Sequence, residues 1–163
     1  MKVISVILCV VMLLTGCSEE VFETVDDRND VQVMAVPATL LMELPETAAT
    51  PVIEGASGKL YFCDGYEIMV ETLNSGNLDA TLQALTGFSK EEIRLQERER
   101  CGVACYEGVW SAAGEKGDEV GRVMVLDDGS YHYCVSMMTN ADCAGNYISQ
   151  WQDILDSVAL AEG

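Results

Sequence analysis

The chain has 163 residues, 27 acidic against 9 basic, for a formal net charge of −18. Such a surface repels phosphate backbones and anionic headgroups, which argues against nucleic-acid binding and against electrostatic adsorption to a membrane. The length supports one modest core, and the single histidine, His132, excludes any site that needs two.

The chain starts with a positive residue, Lys2, and an uncharged apolar run from Val3 to Leu14. That run has the length of a signal-peptide apolar region and is too short to cross a bilayer as a helix. Thr15 and Gly16 supply small residues before Cys17, and Glu19 and Glu20 end the run. Leu14, Thr15, Gly16 and Cys17 together resemble the lipobox of bacterial lipoproteins. The resemblance implies cleavage between Gly16 and Cys17, a diacylglycerol on the Cys17 sulfur, and export to the outer face of a membrane. Two or three acyl chains hold far more firmly than one, at about 0.8 kcal/mol per buried methylene. Ser18 stands where aspartate is linked to inner-membrane retention, which leaves the outer membrane open as a destination in a two-membrane host and has no bearing in a one-membrane host. Cys9 would leave with the peptide.

Residues 1–16 are therefore expected to be a signal peptide and residues 17–57 a lipid-anchored, acidic, flexible tether. Ser18 to Asp30 is acidic and polar, a solvated composition. Val31 to Pro51 holds all three prolines, Pro37, Pro45 and Pro51. They rule out a long helix, leaving an extended linker with at most one short segment docked on the domain.

Residues 58–163 form the predicted domain. Leu60 to Cys63 and Tyr66 to Leu73 flank Asp64-Gly65, a hairpin signal. Asn77 can cap a helix whose Leu78, Leu82 and Leu85 share one side, with Gly87 placed to end it. Ser89 and Glu92 match a capping box, and Ile93 begins an alternating run, IRLQERER. Three strands follow, Ala104 to Ala113, Glu119 to Leu126 and Ser130 to Met138, joined by short turns that make neighbours antiparallel. With DDGS as a turn, Leu126 faces Tyr131 and Met124 faces Tyr133, while Val123 and Val125 share the other side with Cys134, Ser136 and Met138. Both sides are apolar, so the sheet is expected to be covered on both faces. The closing helix, from about Tyr147 to Ala159, presents Ile148, Trp151, Leu155 and Val158 as one stripe.

The fold class is thus α+β, an antiparallel sheet of about five to six strands covered by two main helices. The segment Leu78 to Leu160, with its RVMVLDDGSYHYCVSMM hairpin and its WQDILDSVAL ending, resembles the Mog1/PsbP-like family. The resemblance implies an α/β/α sandwich and an accessory or binding role. That family carries no common catalytic set, so no residue inherits a role from it.

Few residues invite chemistry. His132 is expected to be a partly exposed sheet residue, on the same side of its strand as Cys134 but too far for a nucleophilic pair. No nucleophile elbow, phosphate-binding glycine loop or calcium loop is present, so no cofactor and no metal is expected. Glu67, Glu71, Glu97, Glu99 and Glu107 read as solvated sheet carboxylates. Tyr61, Tyr66, Tyr106, Trp110, Tyr131 and Tyr133 read as core and cross-strand pairs.

Five cysteines remain downstream of Cys17. An exported domain of this size gains from disulfides, and the candidate partners are Cys101 with Cys105 and Cys134 with Cys143. Cys101 and Cys105 can bond only if Gly102 turns the chain so that they face each other. Cys63 is left over. Reduced buried thiols and a metal site are the other two accounts. The expected function is a non-enzymatic envelope lipoprotein whose partner is an envelope protein or a small ligand; the alternative is a thiol-redox or metal-handling protein using Cys101, Cys105 and Cys134.

Overall fold

The computed structural model describes residues 35–115 and 117–161, all within one compact unit, Met34–Gly163. The signal segment, Cys17 and the acidic stretch that follows lie outside the described residues. Strands β1 (Thr39–Leu41), β2 (Ile53–Glu54), β3 (Gly58–Phe62) and β4 (Glu67–Asn74) precede helix α1 (Leu78–Thr86). The turn between β3 and β4 is Asp64-Gly65, with Gly65 at φ +91° and the Cys63 N–H donating to the Tyr66 carbonyl at 2.8 Å. Helix α1 starts where the sequence predicts. The Asn77 side chain accepts the Asp79 N–H at 2.9 Å, and Gly87 ends the helix in the left-handed region. Such a cap contributes about 1 kcal/mol.

The meander follows as β5 (Arg94–Arg100), β6 (Val103–Gly114), β7 (Gly117–Asp127) and β8 (Tyr131–Asn140). Leu126 pairs with Tyr133 and Met124 with Val135, two residues away from the expected register. The turn is centred on Gly129-Ser130, because the Asp128 carboxylate accepts the N–H groups of Ser130 and Tyr131 at 2.7 and 2.6 Å. An even shift leaves every side chain on its predicted side. Met124, Leu126, Tyr133 and Val135 join one apolar cluster, and Val123, Val125 and Cys134 join the other.

All pairings are antiparallel, and the main sheet has seven strands in the order β2-β3-β4-β8-β7-β6-β5. That exceeds the five to six expected, because the two-residue β2 carries no sequence signal of its own. Leu82 and Leu85 of α1 pack on one side. Helix α2 (Ile148–Ser157) packs Trp151, Ile154 and Leu155 on the other. Ile148, expected in that stripe, is 57% exposed; it lies one turn ahead of the first α2 residue that reaches the core.

Residues 38–54, expected to be tether, belong to the domain. Strand β1 pairs with β9 (Ala159–Ala161). Ala38, Leu40, Met42, Leu44 and Ala48 pack on the α2-side cluster, and the Ala38 N–H donates to the Tyr133 hydroxyl at 2.8 Å. The apolar alternation of this segment is a strand period, but its partner lies at the far end of the chain.

Between β5 and β6 the two-residue turn is Cys101-Gly102, with φ of +54° and +76°. Cys101 is the only non-glycine residue at positive φ among the described residues, and asparagine tolerates that region better. Cys101→Asn is therefore expected to raise the midpoint of urea unfolding by the equivalent of about 0.5–1 kcal/mol. An unchanged or lower midpoint would show that the cysteine side chain contributes more than its backbone strain costs.

Candidate functional site

Three chain reversals meet at one end of the sheet. The β3–β4 turn, the β6–β7 turn and the end of β8 surround a cleft of about 760 Å³, lined by residues that include Phe62, Tyr66, Glu67, Glu115, Glu119 and Met138. Register explains the grouping. Phe62 pairs with Glu67, Glu67 with Met138, Met138 with Gly121, and Gly121 with Trp110, so these positions form one row across the α1 side. Glu119, opposite Asn140, stands in the adjoining row. Gly121 keeps that row packed, since a Cβ there would sit 2.4 Å from the Trp110 ring.

The cleft is pinned from behind. The Thr139 hydroxyl donates to the Gly65 carbonyl at 2.6 Å, tying the β3–β4 turn to β8. Tyr66 is buried, its ring 4.9 Å from Tyr147 and 5.8 Å, edge-on, from Trp151. Burial pushes its phenol above the ordinary range, with the Cys63 thiol beside it adding to the effect. The phenol therefore stays protonated, a neutral group at the edge of a carboxylate-rimmed cleft. Glu67, expected to be an isolated sheet carboxylate, thus shares the cleft with Glu115 and Glu119. Sequence spacing missed this because Glu119 lies on a different hairpin.

His132 departs from expectation. It is fully buried, with Nδ1 2.8 Å from the Thr81 hydroxyl. Its Nε2 lies 3.4 Å from Ser75 Oγ and 3.5 Å from the Asp127 carboxylate, and the Ser75 hydroxyl donates to Asp127 at 3.0 Å. Ser75 and Asp127 meet the same ring nitrogen. A serine–histidine–acid relay needs them on opposite nitrogens, so the cluster works as a fastener between the end of β4, the first turn of α1 and the end of β7. Ser75 and Thr81 are far from His132 in sequence, and burying the ring requires such partners.

All five described cysteines are free, so the structure shows neither candidate disulfide, Cys101 with Cys105 or Cys134 with Cys143. Cys101 lies inside the turn, and Cys105 pairs with Arg98, so Cys101 and Cys105 do not face each other. Cys134 is buried among the α1-side residues, and Cys143 sits half-buried in the 3₁₀ segment Ala141–Asn146. Cys63 is half-buried beside Tyr66. The proposed redox or metal set of Cys101, Cys105 and Cys134 does not converge: Cys105 joins the α2-side cluster, Cys134 the α1-side cluster, and Cys101 is exposed. Burial raises the Cys105 thiol, although Arg98 opposes the shift, and pushes Cys134 up to about 12. Reactive thiols are shifted the other way. Glu107, another of the expected solvated carboxylates, is mostly buried and engaged by Arg98 and Arg122.

No family model matches the chain, and no curated protein matches it. Among solved structures the chain is similar to LpqN, involved in cell envelope biogenesis of Mycobacterium tuberculosis. The two share 11% identity at a TM-score of 0.50, over 77% of this chain and 86% of that one. At this identity the likeness is one of fold.

The shielded Cys134 has a pH signature. An unfolded chain releases that proton from about pH 9, whereas the folded chain keeps it to about 12, so folding stability falls across that window as pH rises. Cys134→Ala should lose stability less steeply between pH 9 and 12, by up to about one proton, in urea midpoints taken at unit pH steps. Parallel pH profiles for the two proteins would mean that the thiol is not shielded.

Proposed function

We propose that this is a lipid-anchored envelope protein, attached through Cys17 on the outer face of a membrane, whose domain is a non-enzymatic binding or accessory module. The observation that carries the reading is the cleft at the sheet end, a preformed concave surface with apolar and carboxylate groups side by side. The lipobox residues support the anchor, and the shared fold with a protein of envelope biogenesis supports the setting. One helix on each side of the sheet is the layering that a Mog1/PsbP-like sandwich would have. The docking of residues 38–48 has a spatial consequence for this reading: the chain between Cys17 and Ala35 can reach at most about 60 Å from the membrane.

The anchor is tested by growing cells with radiolabelled palmitate. Wild type should carry label and sediment with membranes, and Cys17→Ala should lose the label and leave the membrane fraction. Retained label in that variant would remove Cys17 as the attachment atom. The accessory role is tested by cross-linking the anchored protein in its own cells, where a reproducible envelope partner is expected, and consistent recovery of the protein alone would argue against it.

A further inference from the structure

We propose that the uncovered half of the sheet on the α1 side, together with the cleft, is a docking surface for a basic peptide segment of a partner protein. The inference rests on the binding-module reading above and names the chemistry of the partner. Helix α1 buries its leucines against Ile93, Trp110, Val123, Val125 and Cys134, over the strands β6, β7 and β8. On the same side β4 adds Met69 and Leu73 to the margin of that cluster, whereas β2 and β3 contribute no described residue to it. There Ile53 pairs with Leu60 and Leu60 with Met69, and the next row holds Phe62, Glu67 and Met138. Ile53 is 62% and Phe62 53% exposed.

Charge selects the partner. The described residues lining the cleft include Glu67, Glu115 and Glu119 and no lysine or arginine; Lys116, in the same turn, lies outside the described residues. Lys59 of β3 alternates to the other side of the sheet and pairs with Glu54 at 2.7 Å. A surface that alternates apolar side chains with carboxylates that pair with no cation among the described residues fits a segment that alternates apolar and cationic ones. Size selects a polymer over a small cation. Ile53 on β2 and Glu119 on β7 are four strand spacings apart across the sheet, and the Ile53 row meets β7 at Val123, four residues from Glu119; the diagonal is about 23 Å, which an extended segment of about seven residues spans.

The test uses the full lipidated protein in zwitterionic nanodiscs, with empty nanodiscs as baseline. The probes are a fluorescent octapeptide repeating lysine-valine-lysine-threonine and its glutamate counterpart. The lysine peptide should bind and the glutamate peptide should not. Combining Glu67→Gln with Glu119→Gln should weaken binding about tenfold, and Phe62→Ser alone several-fold, with unfolding midpoints near wild type. A pair that removes the same charge elsewhere, Glu43→Gln with Glu91→Gln, should change affinity less than about twofold. Equal weakening by both pairs would reduce the effect to diffuse attraction, and equal binding of both peptides, or of neither, would also overturn the assignment. If cross-linking in cells captures a partner whose capture is unaltered by the cleft variants, the accessory role stands and this surface is not its site. If the peptide binds as expected but no partner is captured, the surface stands and the envelope role falls.

Discussion

The pairing of β7 with β8 is the constraint on which the rest of the domain depends. Val123, Met124, Val125 and Leu126 are each fully buried, and they face Ser136, Val135, Cys134 and Tyr133 in turn. Because strand side chains alternate, this one ladder supplies the floor of both apolar clusters. Each large side chain so buried contributes about 1.5–3 kcal/mol. A sheet that is apolar on both sides must be covered on both, so the ladder dictates that one helix docks above it and another below. Every other strand of the main sheet extends it outward from this pair.

The polar groups that hold the layers together sit at the margins of the ladder. On the α1 side, His132 is buried but partnered by Thr81, Ser75 and Asp127, so the helix cannot lift without stranding a polar ring. On the α2 side, Arg100 donates through Nε to the Val158 carbonyl at 3.1 Å and through its terminal nitrogen to Asp156. A cation there complements the negative end of α2 and anchors the β5–β6 turn to it. Arg122 adds a second tie at 2.9 Å to Gln152. The polar atoms of Tyr66, Trp110 and Trp151 are buried with no oxygen or nitrogen partner among the described residues, and all three rings belong to the packing beneath or beside the cleft.

The division between covered and uncovered sheet explains where binding chemistry can reside. Nine residues of α1 are too few to span seven strands, and no second helix joins it on that side among the described residues. The sheet end nearest the β3–β4 turn therefore keeps apolar side chains partly in water, beside carboxylates with no described cation to neutralise them. The thiols, by contrast, are distributed over both sides and mostly buried, where they behave as small hydrophobes.

Local structure was legible in the sequence because its causes are local. Asn77 and Gly87 bound α1, Asp64-Gly65 turns β3 into β4, and period-two alternation assigned Val123, Val125 and Cys134 to one side. The lipobox pattern and the acidic balance are likewise properties of the chain itself. What the tertiary structure alone decided depends on residues distant in sequence coming together. Strand β1 exists because β9 returns from the other end of the chain. His132 is buried because Ser75 and Thr81 arrive from α1 and its approach. Cys101 and Cys105 stay apart because the turn closes on Cys101-Gly102 and leaves Cys105 opposite Arg98. The cleft has the same origin: Glu67 and Glu119 carry no shared spacing, and only the stacking of β4, β8 and β7 sets them at one end of the sheet.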